Sequence, residues 1–164
     1  MTTEAFAAAC LAPFVLPICL YVAFTDLKQM RITNQAVTAL VVVFAIGGLI
    51  LYPFPDYLWR WLHLVVVLVV GIVLNMGGAL GAGDAKFMAA AAPFVALADI
   101  GLASWLLAGT AVSGFIAHRI ARGTRLRELA PGWESWTAGK RFPMGFPLGA
   151  TLAAYLLITA FRPV

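Results

Sequence analysis

The sequence predicts an all-α integral membrane protein, a six-transmembrane-helix bundle with a short or tilted fourth helix. Three observations carry that prediction. Of the 164 residues, 63% are hydrophobic and only 11% are charged, whereas an average soluble domain is nearer half apolar and a quarter charged. Apolar runs recur along the chain at the length a helix needs to cross about 30 Å of hydrocarbon. The basic residues between those runs fall overwhelmingly on one side. The length suits a single domain, residues 1–164.

The first span is Ala5–Thr25, 21 residues without a charge, which Pro13 and Pro17 are expected to bend. Its leading flank carries Glu4 and no Lys or Arg, the reverse of a cleaved signal's basic start. Cys10 and Cys19 lie in this run on opposite helix faces, so they form no internal disulfide. No CxxC pair exists for zinc. Gln35–Leu51 and Leu58–Met76 are the second and third spans, separated by the turn-forming "YPFPDY" (Tyr52–Tyr57). The fourth, Ala85–Leu97, has 13 residues and contains Pro93. At 1.5 Å per residue it covers about 20 Å, short of a full crossing. Ile100–Ile120 and Phe146–Phe161 complete the six.

Counting cations by side tests this arrangement. One side receives Lys28, Arg31, Lys86, Arg119, Arg122, Arg125, Arg127, Lys140 and Arg141, and the other receives Arg60 and Arg162. Nine against two puts the first group in the cytoplasm and both termini outside. Without the fourth span, Arg119–Arg141 would face away from Lys28 and Arg31, and the bias would degrade. The one sizeable polar stretch is the basic loop 118–142. Arg119, Arg122 and Arg125 recur every three residues, so the fifth helix is expected to run past the membrane. The loop reads as an anchor on anionic lipid, with Trp133 and Trp136 at the interface. The alternative is a docking surface for a substrate. The net charge of +4 follows from this asymmetry and indicates no nucleic-acid partner.

The same topology carries Asp26, at the end of the first span, and Asp84, at the start of the fourth, to one membrane face. An acid at the edge of hydrocarbon is a functional candidate by default. Asp26 alone could simply end a helix, and Asp84 alone could sit in a helix's first turn. Together they could share a proton, because like charges at short range cannot both ionise. One then acts as a base toward water while the other donates to a carbonyl, which is peptide hydrolysis without metal or covalent nucleophile. Gly81 and Gly83 would let backbone approach closely. Competing chemistry is thin. No Ser or Cys stands with an activating His, and His63 and His118 read as interfacial. No P-loop or H-x-x-x-H pair is present. Neither a metal nor a cofactor is expected. Asp56 and Asp99 read as outer loop residues.

Three stretches carry a family resemblance: "TDLKQMRITN" (Thr25–Asn34), "GAGDAKF" (Gly81–Phe87) and "RFPMGFPLG" (Arg141–Gly149). In that order they resemble the signatures of the type IV prepilin peptidases, Gly-x-Gly-Asp aspartic endopeptidases of the bacterial inner membrane. The chain looks most like the short, peptidase-only members that mature Flp-type (tight-adherence) prepilins. The methyltransferase loop and paired CxxC motifs of larger relatives are missing here. The resemblance implies that Asp26 and Asp84 are the catalytic pair and that the substrate is a prepilin or pseudopilin. Its basic leader would be cut at the cytoplasmic face, usually just after a glycine. It also implies supporting roles for Lys86, for Asn34 as a cap of the second helix, and for Pro143–Gly145 as a wall of the site. Thr33 departs from the family's frequent proline, and Met144 from its tyrosine.

A reading from another class remains open on these residues: a small proton-coupled transporter with the two aspartates as titrating sites. Against it, a carrier places its acids near the midplane, whereas both lie here toward one face. A third, a non-catalytic assembly subunit, leaves the Gly-x-Gly-Asp string without a purpose.

Overall fold

The computed structural model describes residues 2–139 and 141–162; Lys140, one of the nine cations counted above, lies outside them. Six α-helices follow one another: α1 (Thr3–Gln29), α2 (Asn34–Leu51), α3 (Phe54–Met76), α4 (Ala82–Ala91), α5 (Ile100–Gly123) and α6 (Gly145–Ala160). Thr3–Gln29, Asn34–Leu51, Phe54–Met76 and Leu97–Gly123 are long and apolar enough to cross a membrane, and α6 is a shorter apolar helix. The protein is a multi-pass membrane protein.

Helix α1 starts where the Thr2 hydroxyl accepts the Ala5 N–H at 3.2 Å. It runs through Pro13 and Pro17 without interruption and stops at Met30, whose left-handed backbone (φ 51°) closes the last turn. Its buried face reads Ala5, Ala8, Ala12, Val15, Cys19, Val22 and Asp26. That alternating three-and-four spacing is the seam of a packed helix, and it delivers Asp26 as its last member. The principal partner is α6. A Cβ on Gly149 would meet the Cys19 carbonyl oxygen at 2.8 Å, so only glycine lets these two backbones touch there.

Several boundaries differ from expectation. Only Tyr52 and Pro53 separate α2 from α3, because Pro55 sits in the first turn of α3, where a missing N–H costs nothing. Asn34 is not the cap of α2. Thr33 occupies that place, its hydroxyl accepting the Ala36 N–H at 3.3 Å. The fourth helix starts at Ala82 rather than Ala85 and is over by Ala91. Pro93 cannot continue it, and the backbone passes through 3-10 turns at Ala92–Phe94 and Leu97–Asp99.

Irregular backbone at membrane depth needs partners from the surrounding protein, and side chains supply them. Buried Arg60 donates to the Pro93 carbonyl at 2.9 Å, pairs with Glu4 and lies over the Tyr52 ring at 4.1 Å. The Tyr155 hydroxyl accepts the Ala96 N–H and donates to Asp99, both at 3.1 Å, and Asp99 also pairs with Arg162.

Beyond α5, which extends to Gly123 as the arginine spacing suggested, the loop folds back onto the bundle. Trp136 stacks on His118 (centroids 5.1 Å) and on Trp133 (5.6 Å), and Trp133 meets Phe24 of α1 edge-on at 6.0 Å. His118 is therefore a buried residue of this aromatic stack. Trp133 and Trp136 join α5 to α1.

Candidate active site

Asp26 lies in the last turn of α1, only 5% exposed. A carboxylate is poorly placed at its own helix's C-terminus, where the dipole is negative. The compensation comes from α6, whose first residue, Gly145, donates its N–H to Asp26 Oδ2 at 2.6 Å. Such a bond to a charged acceptor contributes about 1.5–3 kcal/mol. The approach requires glycine. A Cβ at residue 145 would lie 2.9 Å from Asp26 Cβ and 3.0 Å from both Cγ and Oδ2. Pro143, fully buried two residues earlier, leads the chain into that start.

Asp84 is the third residue of α4, and its carboxylate lies against Gly81, the residue that precedes the helix. Each aspartate is thus held at a helix N-terminus, Asp26 at that of α6 and Asp84 at that of α4. Helix N-termini favour negative charge. A Cβ on Gly81 would meet Asp84 Oδ2 at 2.6 Å, so this glycine too is set by the carboxylate beside it. The start of α4 packs through Gly83 on Ile32 in the α1–α2 connection, so Asp84 lies at the same end of the bundle as Asp26.

The remaining candidates take different positions. Gly83 faces Ile32 in the α1–α2 connection, where an added Cβ would make ordinary contact at 3.4 Å. Its lack of a side chain is not demanded by packing. Lys86 is exposed and donates to Asn34 Oδ1 at 3.3 Å, tying α4 to the start of α2. Among the described residues no ion pair joins Lys86 to Asp84. Ile32, buried beneath Gly83, was not singled out from the sequence. Nor was the N–H of Gly145 as a direct partner of Asp26. The buried face of α1, spaced by threes and fours, ends at Asp26 and turns this acid inward. One turn beyond Asp26, a polar cleft of about 480 Å³ opens between Met30, Glu134, Thr137 and Arg141. Among the described residues, no group of three His, Cys, Asp or Glu side chains could hold a metal ion.

Fold and site together define a class: a helical multi-pass membrane protein with two acids from separate helices at one end of the bundle. The model of the type IV leader peptidase family matches residues 14–121, well over half of the chain and inclusive of both aspartates. The protein therefore belongs to that family and is an aspartic peptidase of prepilins. The match ends before most of the basic loop and α6, so Gly145 lies outside it. No curated protein and no solved structure matches the chain. Membership weighs for the peptidase and against the proton-coupled carrier.

Proposed function

We propose that Asp26 and Asp84 are this peptidase's catalytic pair and that it removes the leader of Flp-type prepilins at the cytoplasmic face of the bacterial inner membrane. The observation that supports the reading is the placement of both carboxyls at one end of the bundle, Asp26 on the Gly145 N–H at the start of α6 and Asp84 against Gly81 in the first turn of α4. With one proton between them, the ionised acid takes a proton from water as the oxygen attacks the scissile carbonyl carbon. The protonated acid donates to the carbonyl oxygen, forming a tetrahedral intermediate. Collapse of that intermediate breaks the C–N bond: the departing amine takes up a proton from one acid, and a hydroxyl of the intermediate returns one to the other as the carbonyl reforms. Gly81 and Gly145 fix the carboxylates, and Pro143 sets the entry to α6. Lys86 and Asn34 brace α4 against α2 without touching the acids. The cytoplasmic assignment rests on the nine-to-two distribution of cations. The Flp-type assignment rests on connections that carry no CxxC pair.

Asp26→Asn and Asp84→Asn test the pair. Each is expected to lower leader cleavage of a co-expressed prepilin by at least about a hundredfold, with undiminished membrane insertion. Wild-type cleavage by either variant would remove that aspartate from the mechanism.

A further inference from the structure

Asp26 and Gly145 are joined twice: directly by their 2.6 Å hydrogen bond, and the long way round by a chain of rings. Phe24, two residues before Asp26 on α1, meets Trp133 edge-on at 6.0 Å. Trp133 stacks on Trp136 at 5.6 Å, and Trp136 stacks on His118 at 5.1 Å. His118 then meets Phe142, three residues before Gly145, edge-on at 5.8 Å. All four spacings lie in the range over which rings attract one another. The contacts close a circuit, with the Asp26–Gly145 bond on one side and the His118 imidazole on the other.

Helix α5 also grips the start of α6 on both sides of Gly145. A Cβ on Gly114, one turn before His118 on the same face, would meet the Phe146 ring at 2.9 Å and the Phe142 ring at 3.6 Å. Phe115 meets Phe142 edge-on at 5.5 Å. His118 itself is 6% exposed, and neither ring nitrogen has a hydrogen-bond partner among the described residues. An imidazole placed in this way works as a flat ring and not as a proton carrier. The Trp136 ring beside it is held in plane by its own Nε1–H, which donates to the Ala130 carbonyl at 2.8 Å.

We propose that His118 is a positioning residue of the peptidase, closing the circuit of rings that keeps the Gly145 N–H on the Asp26 carboxylate. This rests on the reading of Asp26 as catalytic, and adds to it a residue that touches neither acid. Phe142 displaced from the stack carries Gly145 with it, and a hydrogen bond weakens steeply as its angle opens. Misplacing a reacting group by about 1 Å can cost about a hundredfold in rate. The effect falls on the carboxylate, and so on kcat.

The test is a rate assay of the full-length protein in membrane vesicles with a membrane-inserted prepilin, kcat and KM being read separately. His118→Ala opens the circuit and is expected to lower kcat about tenfold with KM unchanged. His118→Phe restores a flat ring without nitrogens and is expected to cleave close to wild type. Trp133→Ala opens the same circuit at its far end and is expected to show the same split, so the test stands even where His118→Ala fails to insert. A circuit broken twice is no more open than one broken once. Combining His118→Ala with Trp133→Ala is therefore expected to cost no more than either alone. Wild-type kcat in both single variants would show that the rings hold the loop without steering Asp26. A His118→Phe rate as low as that of His118→Ala would give the role to a ring nitrogen, and losses that multiply would show two unrelated packing defects. Any of these three results overturns the proposal. Full cleavage by Asp26→Asn would instead overturn the peptidase reading beneath it.

Discussion

Gly145 shows how much chemistry a residue without a side chain can carry. Its N–H holds Asp26, and its missing Cβ is what allows the approach. Gly145→Ala would push a methyl group into the aspartate's own Cβ and Cγ, and the carboxylate would have to turn away from its partner. Leader cleavage is expected to fall at least about tenfold, a cost of roughly 1.4 kcal/mol in the transition state, while the variant still inserts. Gly83→Ala is the matched control, since its Cβ meets only Ile32 at an ordinary distance. It is expected to retain cleavage close to wild type. Equal losses in rate assays of the two variants would show that glycine content, not the carboxylate contact, is what the site needs. Lys86 gives the contrasting lesson. Two residues beyond Asp84 in sequence, it turns to Asn34 because successive helical residues project about 100° apart.

Among the elements, α1 and α6 form the axis on which the site is built. Gly149 against the Cys19 carbonyl sets their separation, and that separation sets how far Gly145 stands from Asp26. Gly149→Val would meet backbone rather than a flexible side chain, so one helix has to shift. A loss of about 1–3 kcal/mol is expected from such overpacking, visible as a lower thermal midpoint in detergent. An unchanged midpoint would mean that the two helices are not held at this distance. Helix α4 is governed differently. Its brevity follows from Pro93, and its far end is tied down by Arg60 and, through Ala96, by Tyr155. Arg60, counted from sequence as an outer-side cation, is a buried tie between α3, the start of α1 and the end of α4.

At the scale of the molecule, the cation distribution makes a prediction that the bundle alone does not. The nine-to-two distribution of basic residues along the sequence leads to the expectation that the loop between α5 and α6 faces the cytoplasm. Gly132 in that loop has open space around it. Gly132→Cys is therefore expected to react with a membrane-impermeant thiol reagent only after the cells are opened. Labelling of intact cells would reverse the topology and move the carboxylate pair to the other face. The fold-back of this loop through Trp133, Trp136 and His118 places it against the aspartate-bearing end of α1. It is thus more than a lipid anchor.

Helix number, the shortness of the fourth helix and the two acids were legible in the residues themselves. Each depends on local quantities: run length against hydrocarbon thickness, the helix-ending geometry of proline, and the cost of an acid beside lipid. The pairing of Asp26 with the N-terminus of α6, the turning of Lys86 toward Asn34 and the burial of His118 were not. Each depends on which helix face meets which neighbour, and apolar residues all around a membrane helix erase the amphipathic pattern that would reveal this in a soluble protein. Helix packing without a hydrophobic drive is set by small residues and close backbone contact. Gly145 and Gly149 could be counted in the sequence, but their partners appeared only once the helices were brought together.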